Sequence, residues 1–260
     1  MTKHLYDEIA KRWYRGGSIY VYSDLHLGDK DCYSHRFPGV ELTKEKIEEL
    51  DNMQINNINK VCRAVDTLII LGDVGNVECI KKLKSNYKIL IMGNHDSGAS
   101  NYKRKVSIVR KCPKCGCTEL IDLGDNDGMG LYKTQCTKCY FTGFTFGSDF
   151  DYIEDNHLFD EVYEGPLQIS TKIILSHEPF EHPYCLNIHG HVHCVHPLGA
   201  YTEGIDCSSH YNCCAEQINY KPVSLKWICE SGMLKTVKDI HRATIDRAII
   251  RKERGEDRYD

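Results

Sequence analysis

Five short clusters of acidic, histidine and asparagine residues recur along this chain, and each one follows a short apolar run. In chain order they are Asp24-Leu-His26, Gly72-Asp73, Gly93-Asn94-His95-Asp96, Ser176-His177 and Gly190-His191-Val-His193. Together they offer more oxygen and imidazole donors than one metal ion needs. The chemistry that they predict is hydrolysis at a pair of divalent metal ions.

The spacing of these residues predicts how they would share two ions. Asp24 and His26 are two residues apart on an extended stretch, so their side chains point the same way and can bind one ion together. His191 and His193 have the same spacing and are able to serve one ion each. Asp73 has two carboxylate oxygens with which to bridge both ions.

Asn94 and His95 complete the predicted centre. Asn94 would bind a metal through a neutral amide oxygen, which limits the negative charge of the site. Mixed carboxylate, amide and imidazole ligation favours Mn, with Fe, Zn, Ni or Co as alternatives, over calcium. Two such ions about 3.5–4 Å apart can activate a bridging hydroxide for attack on a phosphate ester. His95 is placed to protonate the leaving group, a step worth about 10²–10⁴-fold in rate.

Each cluster alone has a simpler interpretation. An isolated Asp-x-His is usually a surface turn, and a Gly-Asp after a strand is more often a plain turn. An isolated His177 is more often a hydrogen-bonded histidine than a ligand. Five clusters in order, each at a predicted strand end, are not explained in this way.

Alternating apolar strands and helices position the first three clusters. Apolar strands are predicted at residues 18–23, 65–71 and 87–92, and a helix at about residues 43–64. This order predicts a parallel sheet in an α/β fold, in which ligands gather beyond the carboxyl ends of the strands. Later in the chain we expect paired strands over 161–170 and 171–175, strand and turn over 217–228, and an amphipathic helix over 234–250.

A cysteine-rich segment separates the third and fourth clusters. It contains two Cys-x-x-Cys pairs, twenty residues apart, at the upper edge of the zinc-ribbon spacing: Cys112, Cys115, Cys136 and Cys139. Four thiolates form a closed tetrahedral site, so one structural zinc ion is predicted, with free or redox-active thiols as the alternative. Cys117 is an alternative ligand. The expected insertion spans residues 106–147 of a domain formed by residues 1–105 and 148–260.

Lys103, Arg104 and Lys105 lead into this segment without an intervening acid. Such a stretch predicts contact with a nucleic-acid backbone. The alternative, which we favour slightly, is a solvated face on a ribbon that is only structural.

The composition is ordinary for a globular protein. Of the 260 residues, 41% are hydrophobic and 27% are charged, and the net charge of −4 indicates no overall attraction to polyanions. No apolar run reaches membrane-spanning length, and the N-terminal stretch lacks the apolar core of a signal peptide. We therefore expect a cytoplasmic protein without a membrane partner. Its oligomeric state is left open.

The ordered motifs resemble those of the calcineurin-like metallophosphoesterase superfamily over residues 18 to about 225, apart from the cysteine segment. The resemblance implies a four-layer α/β/β/α sandwich that carries a small zinc-ribbon insertion. It also implies that one ion is bound by Asp24, His26, Asp73 and His193, and the other by Asp73, Asn94, His177 and His191. His95 would be the acid near the leaving group. Asp96 is a candidate to orient His95, with a plain turn role as the alternative.

Residues 211–225 resemble the ending of small bacterial and phage members of this superfamily. Asp29 departs from those members, which often carry a histidine at that position. The departure weakens any transfer of substrate from that group of proteins.

The predicted function is a dinuclear metal-dependent phosphoesterase, more specifically a phosphodiesterase or nuclease acting on nucleotides or nucleic acid. A phosphomonoesterase or protein phosphatase is the alternative within the same chemistry. A non-catalytic nucleic-acid-binding zinc protein with a vestigial metal site is the alternative from another class. Intact ligand types and the presence of His95 argue against that last alternative.

Overall fold

A computed structural model of the chain describes residues 5–124, 133–144, 149–193, 209–235, 237–238, 249–250 and 253. The strands are β1 (Ile19–Tyr22), β2 (Thr67–Ile70), β3 (Tyr87–Ile91), β4 (Val106–Arg110), β5 (Leu120–Gly124), β6 (Lys133–Cys136), β7 (Thr142–Phe144), β8 (Asp151–Asp155), β9 (Glu161–Tyr163), β10 (Leu167–Ser170), β11 (Ile173–Leu175), β12 (Leu186–His189), β13 (His210–Asn212) and β14 (Val223–Ser224). The helices are α1 (Leu5–Trp13), α2 (Lys30–Arg36), α3 (Lys44–Val61) and α4 (Leu225–Glu230). Short 3-10 stretches cover Val77–Lys82, Ala99–Asn101 and Met233–Lys235.

The chain forms two compact units. The first comprises Met1–Lys103 and Leu158–Asp260, and the second comprises Arg104–His157. Within the described residues, no helix combines the length and the apolar composition that crossing a bilayer requires.

The first unit contains a five-stranded sheet in the order β14-β1-β2-β3-β9. Strands β1, β2, β3 and β9 run parallel, and β14 pairs antiparallel with β1. All four residues of β2 are buried, as expected for a strand that is covered on both faces.

A second sheet of the first unit has the order β10-β11-β12-β13. Strands β11, β12 and β13 are parallel, whereas β10 is antiparallel to β11. Three of these strands, β11, β12 and β13, are buried at every position.

The two sheets share one hydrophobic core. Val21 and Ile69 of the first sheet belong to the same buried cluster as Leu175 and Ile188 of the second, together with apolar residues of α1 and α4. The opposite face of the first sheet packs against α3 in a separate cluster. The predicted α/β sandwich is confirmed.

Four local predictions have different outcomes. The helix expected over 43–64 is α3, and the Thr43 hydroxyl caps its start by accepting from the Lys46 N–H at 3.2 Å. The strand expected over 161–170 is instead two strands, β9 and β10, that belong to different sheets. The strand and turn expected over 217–228 include the helix α4. Most of the helix expected over 234–250 lies outside the described residues.

The second unit is built from two small sheets. Strands β4 and β8 form an antiparallel ribbon, and β5, β6 and β7 form a three-stranded antiparallel sheet. The four cysteines of the Cys-x-x-Cys pairs lie in this unit, at and beside β6 and in the loop after β4.

Candidate metal centre

The structure brings together the seven predicted ligands, which follow strand ends of both sheets of the first unit. Asp24 and His26 follow β1, Asp73 follows β2, and Asn94 follows β3. His177 follows β11, and His191 and His193 follow β12. The parallel order within each sheet places these ends side by side.

Four of these residues have left-handed backbone conformations, which are uncommon for side chains other than glycine. The φ angles are 56° at Asp24, 48° at His26, 53° at Asp73 and 68° at His191. Each such conformation costs about 1–3 kcal/mol and persists only where its surroundings hold it. Backbone hydrogen bonds do so here, because His26 N–H donates to the Asp73 carbonyl at 2.8 Å.

A first donor group consists of Asp24, His26 and His193, whose candidate ligand atoms lie within 4.8 Å of one another. The His193 Nε2 is 3.5 Å from Asp24 Oδ1. The His26 Nε2 is 3.3 Å from Asp73 Oδ2. Together with Asp73, these are the residues that the family resemblance assigned to one ion.

A second donor group surrounds His177. Its Nε2 is 2.8 Å from Asn94 Oδ1 and 3.2 Å from His191 Nδ1, and that Nδ1 is 3.1 Å from Asn94 Oδ1. The His177 Nε2 also lies 3.4 Å from Asp73 Oδ2. One Asp73 oxygen is therefore close to a donor from each group, which is the position that a bridging carboxylate needs.

Three of the histidines have a hydrogen-bond acceptor at Nδ1, which leaves the Nε2 lone pair directed at the centre. The Nδ1 of His177 donates to the Leu71 carbonyl at 2.8 Å, and the Nδ1 of His26 donates to Asp29 Oδ2 at 3.1 Å. His193 Nδ1 pairs in the same way with Glu216 Oε1 at 2.5 Å. This pattern is typical of histidines that bind metals.

The donor separations fit transition-metal ions. Metal–ligand bonds of about 2.0–2.2 Å at octahedral or tetrahedral angles put neighbouring donor atoms about 2.8–3.6 Å apart. The six separations between donor atoms given above run from 2.8 to 3.5 Å. Without a cation, the close approach of His177 Nε2 to the Asn94 carbonyl oxygen is favourable only when His177 is protonated. The residues present therefore fit a pair of divalent ions.

Asp73 is held in its ionised form. Burial raises the pKa of this carboxyl group, but hydrogen bonding with His26 and the charge of His177 outweigh burial and lower the pKa to about 2. Its Oδ1 accepts the His95 N–H at 3.0 Å. Asp73 can thus present a negative charge to both donor groups at neutral pH.

Several residues that support the ligands were not predicted from the sequence. Arg36 is almost completely buried and pairs with Glu216 at 3.1 Å, while also donating to the Asp24 and Leu25 carbonyls. The buried Cys214 thiol donates to Asp24 Oδ2 at 3.2 Å. Only Asp29, three residues after His26, had a signal in the sequence, because it replaces the histidine of the resembling proteins.

The two predicted catalytic residues differ in position. His95 is exposed, and its ring lies 5.3 Å from that of His26, edge to face. The Asp96 carboxylate accepts backbone N–H groups of Gly93 and Asp73 at 2.9 Å and of Val74 at 3.0 Å. Asp96 thereby joins the turn after β2 to the turn after β3. Its role toward His95 stays a prediction.

Glycines allow the ligand turns to approach closely. A Cβ at Gly190 would lie 1.9 Å from Ser23 Oγ and 2.2 Å from Asp24 Oδ2. A Cβ at Gly93 would lie 2.2 Å from Asp73 Oδ1. Only glycine leaves room for those carboxylates at these two positions.

Two cavities of the first unit reach different donor groups. One, of about 730 Å³, is lined by His26, His95 and His193 together with residues of α2. The other, of about 290 Å³, is lined by Asn94 and His177 together with residues of the loops that precede β10 and follow β11.

The second unit carries the cysteine cluster. Cys112 Sγ is 3.4 Å from Cys139 Sγ, and Cys115 Sγ is 3.5 Å from Cys136 Sγ. Tetrahedral bonds of about 2.3 Å to one zinc ion would put the sulfurs about 3.8 Å apart, so the cluster fits zinc after a small expansion. The Cys117 thiol instead lies 3.9 Å from the Glu119 carbonyl and is not part of the four-cysteine group.

Basic residues of the same unit face acids of β8. Arg104 forms a two-pronged ion pair with Asp155, with its Nε 3.0 Å from each carboxylate oxygen. Lys111 Nζ lies 3.0 Å from Glu154 Oε1. These pairs reduce the positive charge that this unit presents to a polyanion.

Comparisons with known proteins give three findings. A family model described as calcineurin-like phosphoesterase matches residues 17–206. No curated protein sequence matches the chain. A crystal structure of the protein of unknown function AQ665 from Aquifex aeolicus is similar at 21% sequence identity and a TM-score of 0.47, over 82% of this chain and 98% of that chain. Because the family model covers well over half of the sequence, the chain belongs to the calcineurin-like phosphoesterase family.

Proposed function

We propose that this protein is a dinuclear metal-dependent phosphodiesterase that acts on nucleotides or nucleic acid. The observation that carries the proposal is the pair of donor groups that converge on one Asp73 oxygen, 3.3 Å from His26 Nε2 and 3.4 Å from His177 Nε2. Family membership supports metal-dependent phosphoester chemistry in general.

Each residue has a defined task in this proposal. Asp24, His26, Asp73 and His193 would hold one ion, and Asp73, Asn94, His177 and His191 the other. The bound ions would supply Lewis-acid activation of water and neutralise charge on the phosphoryl oxygens. His95 lines the larger cavity, where it is placed to give a proton to the departing alcohol.

The two cavities favour a diester over a monoester. A phosphodiester carries an ester group on each of two oxygens, whereas a monoester carries only one. The larger cavity lies beside His95 and the smaller one beside Asn94 and His177. A diester whose phosphate sits at the centre could place one ester group in each cavity.

We also propose that the four cysteines bind one structural zinc ion. Their sulfur separations and the closed four-thiolate arrangement support it. A nucleic-acid contact through Lys103, Arg104 and Lys105 remains the weaker part of the proposal, because Arg104 is already paired with Asp155. If the contact exists, charge neutralisation at Lys103 and Lys105 weakens oligonucleotide binding and reduces its salt dependence. An unchanged affinity in a salt titration would refute this part of the proposal.

The test is turnover of bis(4-nitrophenyl) phosphate against 4-nitrophenyl phosphate by the Mn-loaded protein. We expect a higher kcat/KM for the diester, and loss of activity in the Asp73→Asn and His95→Ala variants. Metal analysis should find about two ions at the dinuclear centre and about one zinc ion in the second unit. Faster turnover of the monoester would favour a phosphomonoesterase instead. Undiminished activity in both variants would refute the site assignment.

A further inference from the structure

We propose that the smaller cavity binds an uncharged, ring-bearing ester group of the substrate, and that Phe180 is the surface on which this ring stacks. The inference rests on the proposed phosphodiesterase function and specifies its substrate class. The cavity is lined by Met92, Gly93, Asn94, Glu164, Gly165, Pro166, Ser176, His177, Glu178, Pro179 and Phe180.

The position of the cavity selects which ester group it takes. Asn94 and His177 contribute to its wall, so a group bound there is attached to a phosphate at the metal centre. His95, the proposed proton donor, lines the other cavity. The departing alcohol therefore belongs in the larger cavity, and the ester group that stays on phosphorus belongs in the smaller one.

The loop that carries Phe180 is held in place by buried polar contacts. The Phe180 N–H donates to Asn187 Oδ1 at 2.6 Å, and the fully buried Asn187 also donates to Ser176 Oγ at 2.8 Å. Ser176 Oγ in turn donates to the Glu178 carbonyl at 2.5 Å. These bonds connect the loop to β12 and to the residue that precedes His177, so the wall of the cavity is formed before any ligand arrives.

Phe180 lines the cavity and is open to solvent. The residue is 44% exposed, although its loop is held by the hydrogen bonds above. Exposed aromatic side chains beside a phosphate site stack well on bases and other rings, because every such ring has a π-face. Pro166 and Pro179 add apolar surface to the same cavity.

Size and charge narrow the ligand further. The cavity volume of about 290 Å³ lies just below the range of small-molecule sites, which is about 300 to 1,000 Å³. Glu164 and Glu178 line the cavity, and none of the described residues that line it is a lysine or arginine. A second phosphate on this side would meet negative charge. The fitting group is an aryl alcohol or a single nucleoside, rather than a chain that continues as a polynucleotide.

The test compares two diesters with the same leaving group. Bis(4-nitrophenyl) phosphate retains an aryl group on phosphorus after 4-nitrophenol departs, whereas methyl 4-nitrophenyl phosphate retains only a methyl group. We expect Phe180→Ala to lower kcat/KM about fivefold to tenfold for the aryl diester and less than about twofold for the methyl diester. Phe180→Tyr, which keeps the ring, should restore the parental preference. Tyr14→Ala removes an aromatic ring that is 59% exposed elsewhere in the first unit and serves as the matched control.

Equal losses on both diesters in Phe180→Ala, or no loss on either, would overturn the inference. Whether the bound group is a single nucleoside or part of a polynucleotide is tested by comparing thymidine 5′-(4-nitrophenyl phosphate) with a single-stranded oligonucleotide as substrates. A higher kcat/KM for the thymidine ester supports a single nucleoside, and the reverse order would contradict the exclusion of a continuing phosphate.

Binding separates failure of this inference from failure of the proposed function. If the Mn-loaded parent hydrolyses no phosphate ester, the proposed function fails, but calorimetry with phenylphosphonate and methylphosphonate still tests the cavity. Tighter binding of the phenyl compound that is lost in Phe180→Ala would support the cavity without catalysis. Equal affinities for the two compounds in the parent protein would overturn it.

Discussion

Replacing Glu216 by glutamine should weaken the metal centre without touching a ligand. Glu216 accepts from His193 Nδ1 with one oxygen and pairs with Arg36 through the other, at 2.5 and 3.1 Å. Burial raises the pKa of Glu216, but the hydrogen bond with His193 and the charge of Arg36 lower it, and the net result is a lowered pKa. Glutamine has one acceptor oxygen and no charge, so it can satisfy only one of these two donors.

The size of the effect follows from what is lost. Outer partners of metal-binding histidines are worth about 10- to 100-fold in metal affinity, or about 1.4–2.7 kcal/mol. A hydrogen bond to a charged group contributes about 1.5–3 kcal/mol to folding stability. Arg36 keeps its hydrogen bonds to the Asp24 and Leu25 carbonyls. The loss of folding stability should therefore be smaller than that of a fully broken buried ion pair, which is about 3–5 kcal/mol. For a unit of this size that corresponds to a fall in Tm of about 3–12 °C.

Isothermal titration with Mn²⁺ and a thermal melt measure the two effects separately. The matched control is Glu230→Gln, because the Glu230 side chain is 61% exposed and its ion pair with Lys226 is long, at 3.9 Å. Metal affinity and Tm of the control should equal those of the parent. If Glu216→Gln binds Mn²⁺ as tightly as the parent, the reasoning that His193 depends on Glu216 is refuted.

Three further outcomes are expected. Gly190→Ala should lower Mn²⁺ affinity at least about tenfold, because the added Cβ displaces Asp24. Gly165→Ala is the control, because its Cβ meets nothing within 4 Å and should leave the affinity unchanged. Equal Mn²⁺ affinities of the two variants would contradict the close approach at Gly190. Cys136→Ser should lose the zinc and expose the second unit to protease, while Cys117→Ser keeps it, and zinc per chain measured by elemental analysis decides this. Burial raises the pKa of Glu161, but hydrogen bonds from Tyr163 and Tyr87 outweigh it and lower the pKa below its ordinary value of 4.5. The stability that Glu161 contributes is therefore present above pH 4.5 and is lost as the pH falls through the lowered pKa. On acidification, the urea midpoint of the parent should fall toward that of Glu161→Gln. A difference between the two urea midpoints that does not change with pH would contradict this.

The candidate ligands could be identified in the sequence because each cluster is local and adjoins an apolar strand. A run such as Thr67–Ile70 is recognisable by itself, and the residues after it must lie at its carboxyl end. The parallel order then brings the ends within each sheet together. The packing of the two sheets, which joins His177, His191 and His193 to the other candidate ligands, is long-range and was expected only from the family resemblance.

The supporting residues could not be predicted in this way. Glu216 lies far along the chain from His193, and Arg36 is on a seven-residue helix, α2, that the sequence analysis did not identify. The division of residues 161–170 between two sheets did have a local signal, since Gly165-Pro166 is a typical turn pair. Helix α1 also had one, because Leu5, Ile9 and Trp13 are spaced four apart and all are buried.

Both sheets contribute to the positions of the donor atoms. Each donor group takes ligands from both sheets: Asp24 and His26 meet His193, and Asn94 meets His177 and His191. The distances within a group are therefore set by how the two sheets pack on their shared core, not by any single loop.

Contacts between the sheets hold that geometry at the backbone. The His191 N–H donates to both oxygens of Asp24, at 2.9 and 3.1 Å, and Ser23 bridges to Cys214 in parallel fashion. The Asp24 carboxylate thus fixes the turn of the other sheet at the same time as it offers a donor to an ion. The packing of the two sheets therefore holds these donor atoms about 3 Å apart. At that separation the donor atoms repel one another when no cation is bound, and a divalent cation that binds them all removes the repulsion.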